Sequence, residues 1–123
     1  MSKKLLIVDD DEALCKTWQA ILTQKGYKVK TINYGYLAFV EMKNKPYDLV
    51  LMDLNLAGID GVRTYKEIKK VKPNIKVVIM TGYALDDIGS LIEEGVSFGM
   101  IDAALRKPVD PDKLIEVIEK HTA

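Results

Sequence analysis

The chain has little cysteine: Cys15 is the only one in 123 residues, so no internal disulfide can form and a reducing compartment, the cytoplasm, is implied. It has no charge excess either. Lys plus Arg and Asp plus Glu number 18 each, which leaves no net positive field to hold nucleic acid through its phosphates. Long hydrophobic runs are also missing, so no stretch is a candidate for crossing a membrane. Met1-Ser2-Lys3-Lys4, followed by only four apolar residues, does not read as a secretory leader. There is no linker, repeat or low-complexity tract. Residues 1–123 are expected to form one domain around one core, with 48% hydrophobic residues to build it.

What is present is an alternation of two periods. Lys4–Val8 reads as a fully buried strand, because its apolar residues, Leu5 to Val8, are continuous rather than alternating. Asp11 caps the helix that follows, whose Leu14, Trp18, Ile21, Leu22 and Lys25 recur at helical spacing until Gly26 ends it. Further strands are expected at Lys28–Ile32, Asp48–Asp53, Lys76–Thr81 and Ala104-Leu105. Asp48–Asp53 is the most hydrophobic of them and is expected at the centre. Further helices are expected at Tyr36–Lys45, around Val62, Tyr65 and Ile68, at Asp86–Glu94 and at Asp110–Lys120. Pro46 and Pro73 close two of the helices. Strand and helix alternating five times predict a doubly wound parallel α/β domain with right-handed crossovers.

Chemistry gathers just past the strands. The first run empties into Asp9-Asp10-Asp11-Glu12 and Leu49–Met52 ends on Asp53. Val77–Met80 ends on Thr81, and Ala104-Leu105 leads into Lys107-Pro108. Ligands of open parallel sheets bind at the carboxyl edge of the strands, so these distant residues can meet there. Carboxylates that gather a divalent cation, beside a hydroxyl and an ammonium, suit a phosphoryl group.

In sequence the chain resembles the receiver domains of bacterial two-component response regulators, from Lys3 to about Lys120. The resemblance rests on Val8-Asp9-Asp10-Asp11, Asp48 through Leu56, Asp60-Gly61, Met80-Thr81-Gly82 and Arg106-Lys107-Pro108-Val109. It implies a flavodoxin-like (βα)5 three-layer sandwich with sheet order 2-1-3-4-5. It also implies that Asp53 accepts a phosphoryl group from a histidine on a sensor histidine kinase or a histidine phosphotransfer protein. Mg²⁺ is the implied cofactor, with Asp10 and Asp53 as direct ligands, Asp9 acting through water, and Asn55 offering its backbone carbonyl. Lys107 and Thr81 would meet phosphoryl oxygens, and Lys107-Pro108 is a candidate cis peptide that would help aim the lysine. The output is expected to be a changed protein-binding surface rather than turnover of a substrate, with no membrane or direct nucleic-acid role. No effector segment is recognisable, so the downstream partner is not legible.

Plainer readings stand beside these. Thr81 could bond a backbone group at its strand end, and Lys107 could be a solvated lysine before a turn proline. Asp48 reads as structural or solvated, Cys15 and Trp18 as helix packing, and His121 as an inert residue in a frayed terminus. With no other histidine, the phosphohistidine donor must come from another protein. An aspartyl-nucleophile phosphatase would want an acid where Asn55 stands. A flavin- or nucleotide-binding module would want a phosphate-cradling loop where the acids stand. Departures from the family pattern cluster near the output side. Ala57 replaces a common proline, Ala104 a common Tyr or Phe, and the stretch from Thr81 to Lys107 is longer by about one helical turn, placed in Glu94–Asp102. By resemblance Tyr83 borders the path of the water that attacks the acyl phosphate, and Gly82–Asp102 is expected to change most on phosphorylation.

Overall fold

The computed structural model describes residues 2–53, 61–81 and 103–123, with only the main chain of residues 61, 62, 81, 103 and 104. Five parallel strands, β1 (Lys4–Val8), β2 (Lys28–Ile32), β3 (Leu49–Asp53), β4 (Lys76–Thr81) and β5 (Ala103–Arg106), form one sheet in the order β2-β1-β3-β4-β5. The described helices are α1 (Glu12–Gln24), α2 (Gly35–Asn44), α3 (Gly61–Val71) and α4 (Pro111–Thr122). This is the doubly wound α/β fold expected, with β3 at the centre. The helix expected over 86–94 and the lengthened 94–102 segment lie outside the described residues.

Side-chain alternation divides the core into two layers. Leu6, Val8, Val50, Met52, Val77 and Ile79 meet Ala38 and Met42 of α2 and Tyr65 and Ile68 of α3. The intervening Leu5, Ile7, Leu49, Leu51, Val78 and Met80 meet Cys15, Trp18 and Leu22 of α1 and Leu114 and Ile118 of α4. A strand covered on both faces must be apolar at every position, which is why β1, β3 and β4 read as unbroken runs. The edge strand β2, Lys-Val-Lys-Thr-Ile, is covered less fully, and Lys28 and Lys30 stand exposed on it. Each fully buried Leu or Ile contributes about 1.5–3 kcal/mol, so the three inner strands dominate the stabilisation.

Local signals set the element ends. The Asp11 carboxylate accepts from the Leu14 amide at 3.0 Å, as an N-cap should. Gly26 adopts φ of 96°, which lets its amide donate to Thr23 and the Tyr27 amide donate to Leu22, closing α1. Lys45 caps α2 just before Pro46, and Pro111 opens α4. Two expectations shift. β5 runs over four residues rather than two. His121 lies within α4, where its Nδ1 is 2.8 Å from the Val117 carbonyl, so it is part of the helix rather than of a frayed end. Asp48 is structural, accepting from the Lys4 amide at 2.7 Å.

Beneath the sheet, the Tyr47 hydroxyl donates to Glu41 Oε1 at 2.6 Å and ties the chain before β3 to α2. That bond is the main cause holding the Glu41 carboxyl below its ordinary pKa, with Lys45 contributing. A depressed carboxyl pKa adds stability that is present above the unfolded-state value and fades as pH falls through the folded-state value. Tyr47→Phe should therefore cost about 1 kcal/mol at neutral pH, with the difference shrinking below pH of about 4. Urea titrations of both proteins at pH 7 and pH 3 check this; an equal loss at both would remove the charged bond as its cause.

Candidate functional site

The site is built at the carboxyl edge of the sheet, where the order reverses between β1 and β3. Asp53 is the last residue of β3 and Asp9 the first past β1, and both are buried, with 4% and 1% of their surface exposed. Asp10 follows on the solvent side and is exposed. Carboxylate oxygens of Asp9, Asp10 and Asp53 lie within 4.8 Å of one another. Lys107, past the far edge strand β5, reaches across the end of β4. Its ammonium donates to Asp9 Oδ2 at 2.6 Å and to Asp53 Oδ2 at 3.0 Å. The Lys107-Pro108 peptide is cis, as expected.

Burial alone would lower the Lys107 pKa. The hydrogen bonds and charges of Asp9 and Asp53 outweigh it and raise the ammonium above its ordinary value, so it is fully charged at neutral pH. Among the described residues, three carboxylates against one ammonium leave a formal surplus of two negative charges, which a divalent cation would neutralise. The donors are hard oxygens, one from each of three residues, and Asp10 among them is exposed. That set fits Mg²⁺, which takes few carboxylates and keeps several waters.

Asp9 is held through both its side chain and its main chain. Its Oδ1 accepts from the Asp11 amide at 3.0 Å while Oδ2 takes Lys107. Its main-chain amide donates to the Ile32 carbonyl at 3.1 Å. Its carbonyl accepts from the Asn33 side-chain Nδ2 at 2.8 Å and from the Cys15 thiol at 3.5 Å. Burial, then the Asp9 and Asp11 charges, push the Cys15 thiol up to about 11, so it stays protonated and serves as a donor, not a nucleophile.

The structure thus brings together Asp9, Asp10, Asp53 and Lys107. It places the Thr81 main chain at the end of β4, in register with Arg106. Asn55, Ala57 and Tyr83 lie outside the described residues, as do the side chains of Thr81 and Ala104. Asn33 and Cys15 are additions that the sequence did not disclose as site residues. The signal for Asn33 was position: it is the first residue past β2, as Asp9 is past β1. A cleft of about 520 Å³ lined by Tyr47, Asp48, Asn74 and His121 opens at the opposite edge of the sheet and involves none of Asp9, Asp10 and Asp53. It has no bearing on this chemistry.

Residues 5–119 match the family model of the response regulator receiver domain, and the chain belongs to that family. It is 42% identical to the transcriptional regulatory protein ZraR of Klebsiella oxytoca over 110 residues, covering 89% of this chain and 24% of ZraR. The chain therefore spans about a quarter of the length of that relative. Against the sporulation initiation phosphotransferase F of Bacillus subtilis the identity is 32%, covering 98% of this chain and 94% of that protein. Among solved structures, a CheY-like receiver domain protein of Methanospirillum hungatei superposes with a TM-score of 0.85 at 31% identity, covering 98% and 93% of the two chains. The chain is a receiver domain of the response regulators, the phosphoacceptor switches of two-component signalling. Domains of this family bind Mg²⁺ at an acidic pocket and are phosphorylated by histidine kinases or phosphotransfer proteins. No described helix is long and apolar enough to cross a membrane.

Any cation entering the cluster must share Asp9 and Asp53 with the Lys107 ammonium. Lys107→Met removes that competitor while keeping much of the aliphatic stem. Mg²⁺ affinity, read by calorimetry at constant ionic strength, should rise by about three- to tenfold, or roughly 0.7–1.4 kcal/mol. Weaker binding would mean that the lysine assembles the acids rather than competing for them.

Proposed function

We propose that Asp53 is the phosphoacceptor, with Mg²⁺ held directly by Asp10 and Asp53. Asp9 acts through water, the Asn55 carbonyl completes the protein ligands, and residues 1–123 make one receiver domain. The observation that carries this reading is the Lys107 ammonium bonded to both Asp9 and Asp53 on the edge where the acids meet. The two Asp9 oxygens already engaged by Asp11 and Lys107 favour Asp9 as the indirect ligand.

A carboxylate oxygen of Asp53 attacks phosphorus and forms the acyl phosphate, while the phosphorus–nitrogen bond of a partner's phosphohistidine breaks and its electron pair returns to the imidazole. When bound, Mg²⁺ supplies positive charge that offsets repulsion between the acids and the phosphoryl oxygens. Lys107, a compact charge with three rotatable donors, holds one phosphoryl oxygen, and the Thr81 hydroxyl meets another. The donor is a sensor histidine kinase or a histidine phosphotransfer protein, since His121, the one histidine of the sequence, lines the cleft at the opposite edge of the sheet from the acids. The protein takes one phosphoryl group per molecule and passes the signal by a changed binding surface. It does so in the cytoplasm, on a protein partner rather than on nucleic acid. Neither the phosphatase nor the flavin reading gains a supporting observation.

Incubated with Mg²⁺ and acetyl phosphate, the protein should gain one alkali-labile phosphoryl group, and Asp53→Asn should reduce the labelling to background. Asp10→Asn should weaken Mg²⁺ binding by about tenfold, or roughly 1.4 kcal/mol, through loss of one anionic ligand. Equal labelling of the Asp53→Asn protein by intact mass would move the acceptor elsewhere; unchanged Mg²⁺ affinity would remove Asp10 from the ligands.

A further inference from the structure

The β1–β2 ladder pairs Val8 with Ile32 and then runs out, because Tyr34 turns the chain into α2. One main-chain bond continues past that register, from the Asp9 amide to the Ile32 carbonyl. At the next rung the acceptor is the Asp9 carbonyl, and the donor is a side chain: Asn33 Nδ2 at 2.8 Å. The amide is oriented by its partners. A carbonyl can only accept, so the nitrogen of Asn33 must face it. The same nitrogen lies 3.7 Å from the Cys15 sulfur, and the Cys15 thiol itself donates to the same carbonyl. Two side chains, one from the end of β2 and one from α1, therefore converge on a single carbonyl oxygen.

That carbonyl belongs to the peptide linking Asp9 to Asp10. A peptide group is planar, so fixing its oxygen fixes the plane from which the Asp10 main chain departs. Asp9 has its carboxylate bonded on both oxygens, whereas Asp10 is exposed. The direction of the Asp10 side chain is thus set through this peptide. Resting on the reading of the acids as a Mg²⁺ site, we infer that Asn33 is a positioning residue for that site. Its side-chain amide, assisted by the Cys15 thiol, locks the Asp9–Asp10 peptide and holds the two acids at the mutual aim a small octahedral cation demands. Mg²⁺ tolerates little departure from ideal geometry, so an error of angle at one carboxylate is felt as lost affinity. Nothing about Asn33 requires contact with the ion or with a phosphoryl group.

Two substitutions in the full chain test this. Asn33→Leu keeps the number and branching of the side-chain heavy atoms and removes the donor; Asn33→Ser keeps a polar side chain too short to reach the carbonyl. Both should bind Mg²⁺ about tenfold more weakly by calorimetry, at the low end of what outer supports of metal ligands cost. The Mg²⁺ concentration giving half-maximal labelling by acetyl phosphate should rise by the same factor. The rate at saturating Mg²⁺ should stay within about twofold of the parent, because the nucleophile is untouched. A purely structural role would lower the melting temperature and leave both Mg²⁺ measures where they were. Unchanged Mg²⁺ affinity in either folded variant overturns the inference while leaving Asp53 labelling intact. A parent chain that binds no Mg²⁺ would overturn both the inference and the reading of the cluster beneath it.

Discussion

One ammonium holds the working edge of this molecule together. Lys107 stands past β5, Asp53 ends β3 and Asp9 follows β1, so its two hydrogen bonds span the sheet from one edge strand to the strand beyond the centre. Like charges about 4 Å apart repel by roughly 4 kcal/mol at an effective dielectric of 20, a large fraction of what a small domain has to spare. Three clustered carboxylates repel in three pairs, and one ammonium bonded to two of them leaves a residual repulsion. The fold tolerates that residue because apolar packing on both faces of β1, β3 and β4 anchors the strands whose ends carry the acids. The remaining negative charge is what makes the edge receptive to a divalent ion.

That division of labour explains how much could be read from the chain. Strands buried on both faces must be apolar throughout, so Leu5–Val8, Leu49–Met52 and Val77–Met80 announce themselves, and the first polar residue after each marks the carboxyl edge. Asp9 and Asp53 were legible for this reason, Asp10 as the acid beside Asp9, and Lys107 only through the short Ala104-Leu105 stretch and the motif that follows it; the four lie together. β5 was underestimated because Ala103 and Arg106 carry no strand signal; parallel pairing with β4, from Val78↔Ala103 to Thr81↔Arg106, determines its length. His121 looked terminal, yet the carbonyl of Val117 one turn earlier holds it in α4.

Asn33 and Cys15 were not legible as site residues, for a different reason. An asparagine before a helix reads as a turn residue, and a cysteine at helical spacing reads as packing. Both readings are locally correct. Their shared target, the Asp9 carbonyl, is 24 residues from Asn33 in sequence and becomes a neighbour only when β2 pairs with β1. Side chains that support a site through the main chain leave no chemical signature of their own. Position at a strand end is a signal that Asn33 shares with the acids and that Cys15, within α1, does not.

The same constraints determine which part of the edge can respond to a new group. Asp9 is bonded at its amide, its carbonyl and both carboxylate oxygens, by partners from β2, α1, its own loop and the residue past β5. Moving it would break several bonds at once. Lys107 is different: an ammonium has three N–H groups and two are taken by Asp9 and Asp53. On the proposed reading the third can turn to a phosphoryl oxygen on Asp53 without releasing Asp9, which keeps the β1 end fixed while charge is added at the β3 end. The least costly displacement is then that of the ammonium and the main chain bearing it. A rigid acid pair facing a pivoting cation lets the site accept a large change in charge without disturbing the sheet below.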